Sequence, residues 1–464
     1  MLNSATSESA ERVILASSFE KNPLPGARRV VRVRRSPAAP PAQSTLAPDS
    51  LAWSLLLAAR SIAAVRGGQS LTEALSRLAG EPPAARAAAQ DVAYGVFRHY
   101  GQGDFILGHL LSKPLSHAET EALLLAALYR LDTRPEAAHT VVDQAVAAAG
   151  ELANGAFKAL VNGVLRNYLR QRDALRADLA RDDVAAHAHP AWWLARLRRA
   201  HPEQWMAIVA AGNTPPPMTL RVNVRHVGRD AYLARLAEAG LSARPVGRNG
   251  LILATPVPVD ALPGFAAGDV SVQDAGAQRA AELLAPAPGA RVLDACAAPG
   301  GKTAHLLESA DLDLLALDID AQRCRRIDET LRRLGLSAAV RAADAAQVAA
   351  WWDGRPFDAI LADVPCSASG VVRRHPDMKA LRRESDIRPL VRTQAELLDA
   401  LWPLLKPGGK LLYATCSVFT EENAAQIDAF LHRQPTASCL HREQLLPGED
   451  HDGFYYALLR KAAV

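Results

Sequence analysis

The sequence has few cysteines, few aromatic residues and no long hydrophobic run. Only 5% of its 464 residues are aromatic, and its five cysteines include no Cys-x-x-Cys pair. That pattern argues against a disulfide framework and against a zinc site. No apolar stretch approaches the ~18–20 residues of a membrane span, and the polar N-terminus lacks the apolar core of a signal peptide. We therefore expect a cytoplasmic protein with free thiols that binds neither a metal nor a membrane.

The positive charge of the chain is concentrated in its first residues. The formal net charge is +4, and residues 1–48 contain seven Lys or Arg against three Glu, so this segment alone accounts for it. Several prolines interrupt any helix there, which predicts a disordered basic tail. A tail of this kind is either an arm that contacts nucleic acid or a solvated segment without a partner.

The rest of the chain divides into four predicted segments. Apolar residues at helical spacing predict an all-α bundle over 50–172 and a helical linker over 173–215. A short alternating strand, a helix and a second strand predict a small α+β module over 216–284. At this length we expect a multidomain monomer, with the last domain covering 285–464.

Strands and helices alternate from residue 290, which predicts a parallel, doubly wound α/β sheet. The predicted strands are 291–295, 313–318, 338–343, 357–363 and 409–415. The predicted helices are 302–309, 320–334, 387–405 and 420–432. The last segments, 437–441 and 453–460, could add a strand pair.

Each predicted parallel strand ends in a polar or reactive residue. Ligands of open α/β sheets bind outside the carboxyl ends of the strands, and helix caps alone do not easily explain five such strand ends at one edge. The residues at these strand ends are Asp294, Asp318, Asp344, Asp363 with Cys366, and Thr415 with Cys416.

The turn at 294–302 suits S-adenosyl-L-methionine. It is neither Gly-x-Gly-x-x-Gly nor a P-loop, and its paired glycines would let a ligand without a pyrophosphate approach the backbone. Asp318 is placed to accept the ribose hydroxyls, whereas Asp320 is better explained as a helix cap. Asp344 could receive the adenine amino group or cap the next helix.

Two cysteines point to pyrimidine chemistry. Cys366 and Cys416 each follow an apolar strand and precede a serine. A thiolate that adds to carbon 6 of cytosine makes carbon 5 able to accept a methyl group, and Asp363 could bind the ring nitrogen and amino group. Positive charge must activate the thiol; Arg373 and Arg374 could supply it or could contact phosphate. The other cysteines are expected to be small core residues: Cys296, Cys324 and Cys439.

These motifs resemble the RNA 5-methylcytosine methyltransferases of the NSUN/Sun family. The matching segments are Asp294–Lys302, Asp363–Ser367, Arg373–Asp377, Ala414–Ser417 and Asp452–Ala457. The bundle resembles the RNA-binding factor NusB. That likeness is carried by Asp91–Arg98, Pro135–His139 and Lys158–Arg166. The combination is similar to bacterial enzymes that methylate cytosine in 16S rRNA, and the resemblance covers roughly 50–464.

The resemblance implies a role for each matching residue. Cys416 would be the nucleophile, Cys366 would assist product release, and Asp363 would hold the cytosine. Arg221 and Asn223 would touch RNA in an RRM-like module. The implied S-adenosyl-L-methionine pocket consists of Cys296, Ala297, Ala298, Pro299, Gly300, Gly301, Lys302, Asp318, Asp344 and Asp363.

Three questions stay open at the level of the residues. The Pro-Cys motif of DNA cytosine methyltransferases nominates Cys366 as the attacking thiol, whereas the family resemblance nominates Cys416. The basic run around Arg373, Arg374, Arg382 and Arg383 reads equally well as a phosphate contact or as a solvated face. Where the family often has Trp, Ala380 stands here. A non-catalytic RNA-binding factor and a small-molecule methyltransferase are the alternative functions; the first leaves the Asp-Cys-Cys set without a purpose, and the second leaves the bundle without one.

Overall fold

The computed structural model describes residues 44–463, which fall into two compact units. Residues 44–191 and 379–381 form one unit, and residues 192–378 and 382–463 form the other. Most of the predicted basic tail, residues 1–43, lies outside the described residues.

The first unit is a helical bundle. Helix α1 begins after Ser50, whose side chain accepts a hydrogen bond from the backbone N–H of Trp53 at 3.1 Å. Its buried leucines and alanines pack against the apolar face of α5 in one core. The helices are α1 Leu51–Arg66, α2 Leu71–Ser76, α3 Pro83–Arg98, α4 Gln102–Leu110, α5 Ala118–Thr133, α6 Ala138–Gly150, α7 Lys158–Leu179 and α8 Asp183–His187.

Helix α7 extends beyond the predicted bundle. It starts at Lys158, after a turn in which Asn154 adopts a left-handed conformation (φ 54°). It then runs to Leu179, past the predicted end of the bundle at 172. Two more helices follow, α9 Ala191–Ala200 and α10 Trp205–Gly212.

The small α+β module has one antiparallel sheet and two helices. Its strands lie in the order β2-β3-β1-β4, and Tyr232 and Leu236 of α11 pack on the sheet. Two of its short strands, β2 and β4, were not predicted. The elements are β1 Thr219–Val222, α11 Arg229–Glu238, β2 Ala243–Val246, β3 Gly250–Leu253, β4 Val270–Val272 and α12 Ala275–Leu284.

The last domain is built on a seven-stranded mixed sheet in the order β10-β11-β9-β8-β5-β6-β7. Strands β5 to β9 are parallel, and the predicted final pair adds two antiparallel strands. The strands are β5 Arg291–Asp294, β6 Asp313–Asp318, β7 Ala339–Ala342, β8 Phe357–Asp363, β9 Leu405–Thr415, β10 Ala437–Leu445 and β11 Phe454–Lys461. The helices are α13 Gly301–Ser309, α14 Ala321–Arg333, α15 Met378–Leu381, α16 Ile387–Leu401 and α17 Ala424–Arg433.

Helix α14 shows how sequence positions a helix on this sheet. Asp320 caps it, as predicted, by accepting hydrogen bonds from the next turn's N–H groups. Cys324, Ile327 and Leu331 follow at helical spacing and are the buried residues of its inner face. The prediction that Cys324 is a core residue is confirmed.

The register of the parallel strands brings their predicted polar ends to one edge. Asp294 pairs with Ala316 on one side and Leu361 on the other, and Asp363 lies opposite Ala414. The strand ends therefore meet, as the doubly wound prediction requires.

No helix within 44–463 is long and apolar enough to cross a membrane. Across the same residues, His, Cys, Asp and Glu side chains nowhere gather in threes in a way that could hold a metal ion.

Candidate active site

The turn after β5 is held by backbone and carboxylate contacts. The N–H of Ala297 donates to the carbonyl of Leu317 at 2.8 Å, and the N–H of Ala298 donates to Asp318 at 3.2 Å. Gly300 has φ +96°, and a Cβ there would lie 3.1 Å from the backbone of Ile327. The turn is therefore a tight junction between β5 and α13 that only glycine fits at this point.

Asp294 sits beneath this turn with an unmatched oxygen. Its Oδ2 accepts a hydrogen bond from Thr303 at 2.7 Å, whereas its Oδ1 has no hydrogen-bond partner among the described residues. Burial, with a smaller effect from the Asp363 charge, raises the pKa of Asp294 to about 7.

Lys302 and Asp363 form a close ion pair at the centre of the strand edge. The Nζ–Oδ2 distance is 2.6 Å, and the ammonium lies 5.7 Å from the centre of the Phe454 ring. Burial alone would lower the pKa of Lys302. The charge and hydrogen bond of Asp363 and, to a smaller extent, the charge of Cys416 raise it above its usual value. Lys302 is thus a fixed positive charge beside a cysteine.

The two predicted reactive cysteines face one another. The Sγ atoms of Cys366 and Cys416 are 3.4 Å apart at the ends of β8 and β9. The pKa of Cys366 is raised well above its usual value by its hydrogen bond to Cys416, by burial, and by the nearby charges of Cys416 and Glu422. Cys366 therefore holds its proton more firmly than an ordinary cysteine does, and either sulfur can donate the hydrogen bond between them.

Asp318 and Asp344 lie at the ends of the next two strands. Asp318 is buried and pairs with Arg323 at 3.3 Å in addition to its bond with Ala298. Asp344 is half-buried and accepts from the N–H of Ala346 at 2.9 Å, as a residue that caps a turn does. Both predicted positions are at the correct edge of the sheet.

A cavity of about 360 Å³ opens beside this edge, between the small sheet and the last domain. Six of the predicted cofactor residues line it: Ala297, Ala298, Pro299, Gly301, Lys302 and Asp363. Asp294 and Phe454 also line the cavity. The other predicted cofactor residues do not line it: Cys296, Gly300, Asp318 and Asp344.

Three protein-family models match this chain, and they follow one another along it in the order of the predicted domains. The model of the 16S rRNA methyltransferase RsmB/F matches residues 281–460, an RsmF/B-like ferredoxin-like domain matches 189–260, and the NusB family matches 54–170. A protein named ribosomal RNA small subunit methyltransferase B from Pseudomonas putida is 49% identical over 428 residues, covering 88% of this chain and 98% of that protein. One of the same name from Vibrio cholerae is 45% identical over 407 residues, covering 85% and 94%.

The chain belongs to the 16S rRNA methyltransferase RsmB/F family. This confirms the predicted family and the predicted three-part fold, in which the RRM-like module is a ferredoxin-like domain.

Solved structures agree on the fold. The crystal structure of PH0851 matches with a TM-score of 0.75 and 22% identity, covering 90% of this chain and 99% of that one. A methyltransferase homolog protein from Pyrococcus horikoshii matches with a TM-score of 0.54 and 27% identity, covering 60% and 97%.

In this member of the RsmB/F family, two arginines expected to contact phosphate are paired with acids, Arg373 being buried and Arg374 half-buried. Arg373 and Arg374 both donate to Asp452, and Arg374 also donates to Asp274 at 2.8 Å. Burial alone would raise the pKa of Asp452, but Arg374 and Arg373 lower it. Both arginines are thus held by carboxylates of the domain, and a contact of either one with RNA, or a role in activating a thiol, stays a prediction.

Arg221 and Asn223, which were also expected to touch RNA, are engaged inside the protein. Arg221 is 1% exposed and donates to both oxygens of Glu308, at 2.8 and 2.7 Å, and to the carbonyl of Gly301 at 2.8 Å. Asn223 is also buried and donates to the carbonyl of Gly268 at 3.0 Å. Arg221 joins the ferredoxin-like sheet to the first residue of α13, and Asn223 holds a turn.

The basic run is split rather than uniform. Arg382 is buried and donates to the carbonyl of Ser367 at 3.3 Å, whereas Arg383 is exposed. Neither a phosphate-binding run nor a solvated helix face describes both residues.

Sequence reasoning missed Glu422, a fully buried carboxylate behind the cysteines. It accepts hydrogen bonds from Ser367 and Ser417. The serine that follows each cysteine was the available signal, since two buried hydroxyl groups need an acceptor.

Proposed function

We propose that this chain methylates carbon 5 of a cytosine in 16S rRNA through a covalent cysteine–pyrimidine intermediate, with S-adenosyl-L-methionine as the donor. The observation that carries the proposal is the sulfur pair, Cys366 and Cys416, 3.4 Å apart beside the Lys302–Asp363 ion pair. Relatives named ribosomal RNA small subunit methyltransferase B support the substrate class.

The charges around the sulfurs favour Cys416 as the nucleophile. Cys366 holds its proton, because its pKa is raised by the Cys416 hydrogen bond and by burial. Lys302, whose pKa is raised by Asp363 and Cys416 against the effect of burial, stabilises a thiolate at position 416. These charges support our proposal that Cys416, rather than Cys366, is the attacking thiol.

The reaction then follows from the chemistry of the ring. The Cys416 thiolate bonds to carbon 6 and the ring nitrogen takes up a proton from solvent, so that the ring becomes an enamine whose carbon 5 is nucleophilic. Asp363 accepts hydrogen bonds from the protonated ring nitrogen and from the amino group. After carbon 5 is methylated, loss of its proton to a base breaks the carbon–sulfur bond and restores the ring. Cys366 is the residue proposed to assist this release.

The residues at the strand edge fit the methyl donor. S-adenosyl-L-methionine, when bound, supplies a methyl group activated by a sulfonium cation. Asp294 lines the cavity and has a buried oxygen without a hydrogen-bond partner among the described residues, and carboxylates suit a cationic ligand with hydroxyl and amino groups. The residues proposed to hold it are Cys296 to Lys302, Asp318, Asp344 and Asp363.

The target cytosine must leave its stack to reach this edge. A single-stranded or loop region of rRNA meets that need. We assign RNA binding to the NusB-like bundle over 50–172, followed by the linker over 173–215, and we keep 216–284 and 285–464 as the proposed ferredoxin-like and catalytic domains.

Single cysteine substitutions test the mechanism. Cys416→Ala should abolish both methylation and covalent attachment, because no sulfur reaches carbon 6. Cys366→Ala should still attack and should accumulate a protein–RNA adduct, because release is impaired. The measurement is a denaturing gel of enzyme incubated with unmodified 16S rRNA and labelled donor, together with mapping of 5-methylcytosine.

Cys439→Ala is the matched control, since Cys439 lies on the edge strand β10, and it should behave as wild type. An adduct that survives in Cys416→Ala would reverse the two assignments. Binding of rRNA without any methyl incorporation by the wild-type protein would favour a non-catalytic RNA-binding factor.

A further inference from the structure

Glu422 connects the two loops that carry the cysteines. Its Oε2 accepts hydrogen bonds from the hydroxyls of Ser367 at 2.5 Å and Ser417 at 2.6 Å, and its Oε1 accepts from the N–H of Ser367 at 2.8 Å. Ser367 follows Cys366 directly, and Ser417 follows Cys416. One carboxylate therefore holds the neighbour of each sulfur.

The hydroxyl network behind the sulfurs is closed and buried. Ser369 lies 3.0 Å from Ser417 through its Oγ and accepts from the N–H of Val418 at 2.9 Å. Gln394 also donates to Glu422, from its Nε2 at 3.1 Å. Because the hydroxyls of Ser367 and Ser417 are buried and donate to Glu422, a shift of Glu422 would leave polar groups unsatisfied.

The carboxylate of Glu422 determines which groups of this network donate hydrogen bonds and which accept them. An ionised carboxylate only accepts, so the hydroxyls of Ser367 and Ser417 must both donate to Glu422. Burial raises the pKa of Glu422, and the hydrogen bonds from Ser367 and Ser417 oppose that rise. An amide of the same shape would turn one accepting oxygen into a donor and would break the pattern.

We propose that Glu422 is a positioning residue that sets the distance between the sulfurs of Cys366 and Cys416 by holding Ser367 and Ser417. Its effect on catalysis rests on the proposed covalent mechanism. The geometric effect does not, because the spacing of two thiols exists without RNA or donor.

The matched variants are Glu422→Gln and Glu421→Gln. Glu421 is the adjacent residue, 40% exposed and paired with Arg196, so it controls for loss of one charge in the same turn. Glu422→Gln should lower kcat by about 10- to 100-fold, because a small displacement of reacting groups is enough for such a loss. The KM for rRNA and donor should stay unchanged in both variants, and Glu421→Gln should keep its kcat within about twofold.

A second readout measures the spacing itself. Diamide takes up two electrons and two protons as it closes a disulfide between Cys366 and Cys416, and the rate depends on how the sulfurs face each other. The rate in the full-length protein without RNA or donor should fall at least about tenfold in Glu422→Gln and should be unchanged in Glu421→Gln. A Cys366→Ala protein, which cannot form this disulfide, gives the background.

The outcomes separate this proposal from the proposed function. If Glu422→Gln formed the disulfide and turned over at wild-type rates, the role of Glu422 would be overturned. Losses in Glu421→Gln as large as those in Glu422→Gln would overturn it as well. If Glu422→Gln does not fold, Ser417→Ala removes one of the two donors, and an unchanged disulfide rate there would overturn it equally. Full methylation by Cys416→Ala would remove the covalent mechanism while the thiol-spacing result still decides the geometric role.

Discussion

At the scale of single residues, Asp294 combines burial, one hydrogen bond and one oxygen without a described partner. Its pKa of about 7 lies above the ordinary range of an aspartate because burial disfavours its charged form. The folded protein therefore binds the Asp294 proton more tightly than the unfolded chain does. Its stabilising effect is present at low pH and is lost as the pH rises towards the folded pKa.

Asp294→Asn should remove this pH dependence. As the pH rises from about 4 to about 7, the free energy of unfolding of the wild type should fall by up to ~1.4 kcal/mol per pH unit more than that of the variant. Asparagine keeps an acceptor for Thr303 but does not titrate. Urea unfolding of both proteins at several pH values measures the difference.

The exposed Asp260 provides the control. Asp260→Asn should leave the pH dependence of the wild type intact. Parallel curves for wild type and Asp294→Asn would contradict the assignment of a raised pKa to Asp294.

The polar strand ends could be predicted from the sequence, whereas the partners of the buried arginines could not. The strand ends at Asp294, Asp318 and Asp363 followed from hydrophobic runs and their polar termini, because those signals are local. The partners of the arginines are distant: Asp452 lies 79 residues beyond Arg373. A charged residue normally reads as exposed, so only tertiary pairing could reveal that it is buried.

At the scale of elements, two loops touch backbone to backbone beside the cysteines. A Cβ on Gly370 would lie 2.2 Å from the carbonyl oxygen of Gly453, and the N–H of Gly453 donates to the carbonyl of Gly370 at 2.8 Å. The N–H of Gly370 also donates to the carbonyl of Cys416 at 2.9 Å. The loop after β8 therefore needs a residue without a side chain in order to meet both the segment before β11 and the loop after β9. This contact joins the segment Asp452-Gly453-Phe454 to the loops that carry the two cysteines.

Gly370→Ala should force these loops apart. We expect the free energy of unfolding to fall by ~1–3 kcal/mol, the usual effect of overpacking, and kcat to fall because the Cys416 loop moves. Gly448→Ala, on the segment that precedes Gly453, meets its nearest atom only at 4.0 Å and should change neither quantity. Urea unfolding and methyl transfer measure both variants, and equal stability of the two would show that the loops can separate without strain.

At the scale of the whole molecule, the ferredoxin-like sheet and the catalytic domain are joined by a buried ion pair. Arg221 of β1 and Glu308 of α13 are 1% and 2% exposed through their side chains, and Arg221 also reaches Gln273 and the carbonyl of Gly301. This joint extends from the small sheet to the first residue of the helix that follows the proposed donor-binding turn. The module is thus tied to the catalytic centre by the residue that the sequence suggested for RNA.

Breaking this pair should be strongly destabilising. Arg221→Gln leaves Glu308 buried without its charge partner, so the free energy of unfolding should fall by about 3–5 kcal/mol. Glu308→Gln should show a similar loss, and the double variant should lose much less than the sum of the two. The exposed pair of Arg225 and Asp311 supplies the control, because Arg225→Gln should change stability by less than about 1 kcal/mol. Urea unfolding of the wild type, the two single variants and the double variant gives the coupling energy between Arg221 and Glu308. The affinity for rRNA is measured for the same four proteins. Unchanged stability in Arg221→Gln together with weaker rRNA binding would restore Arg221 as an RNA contact.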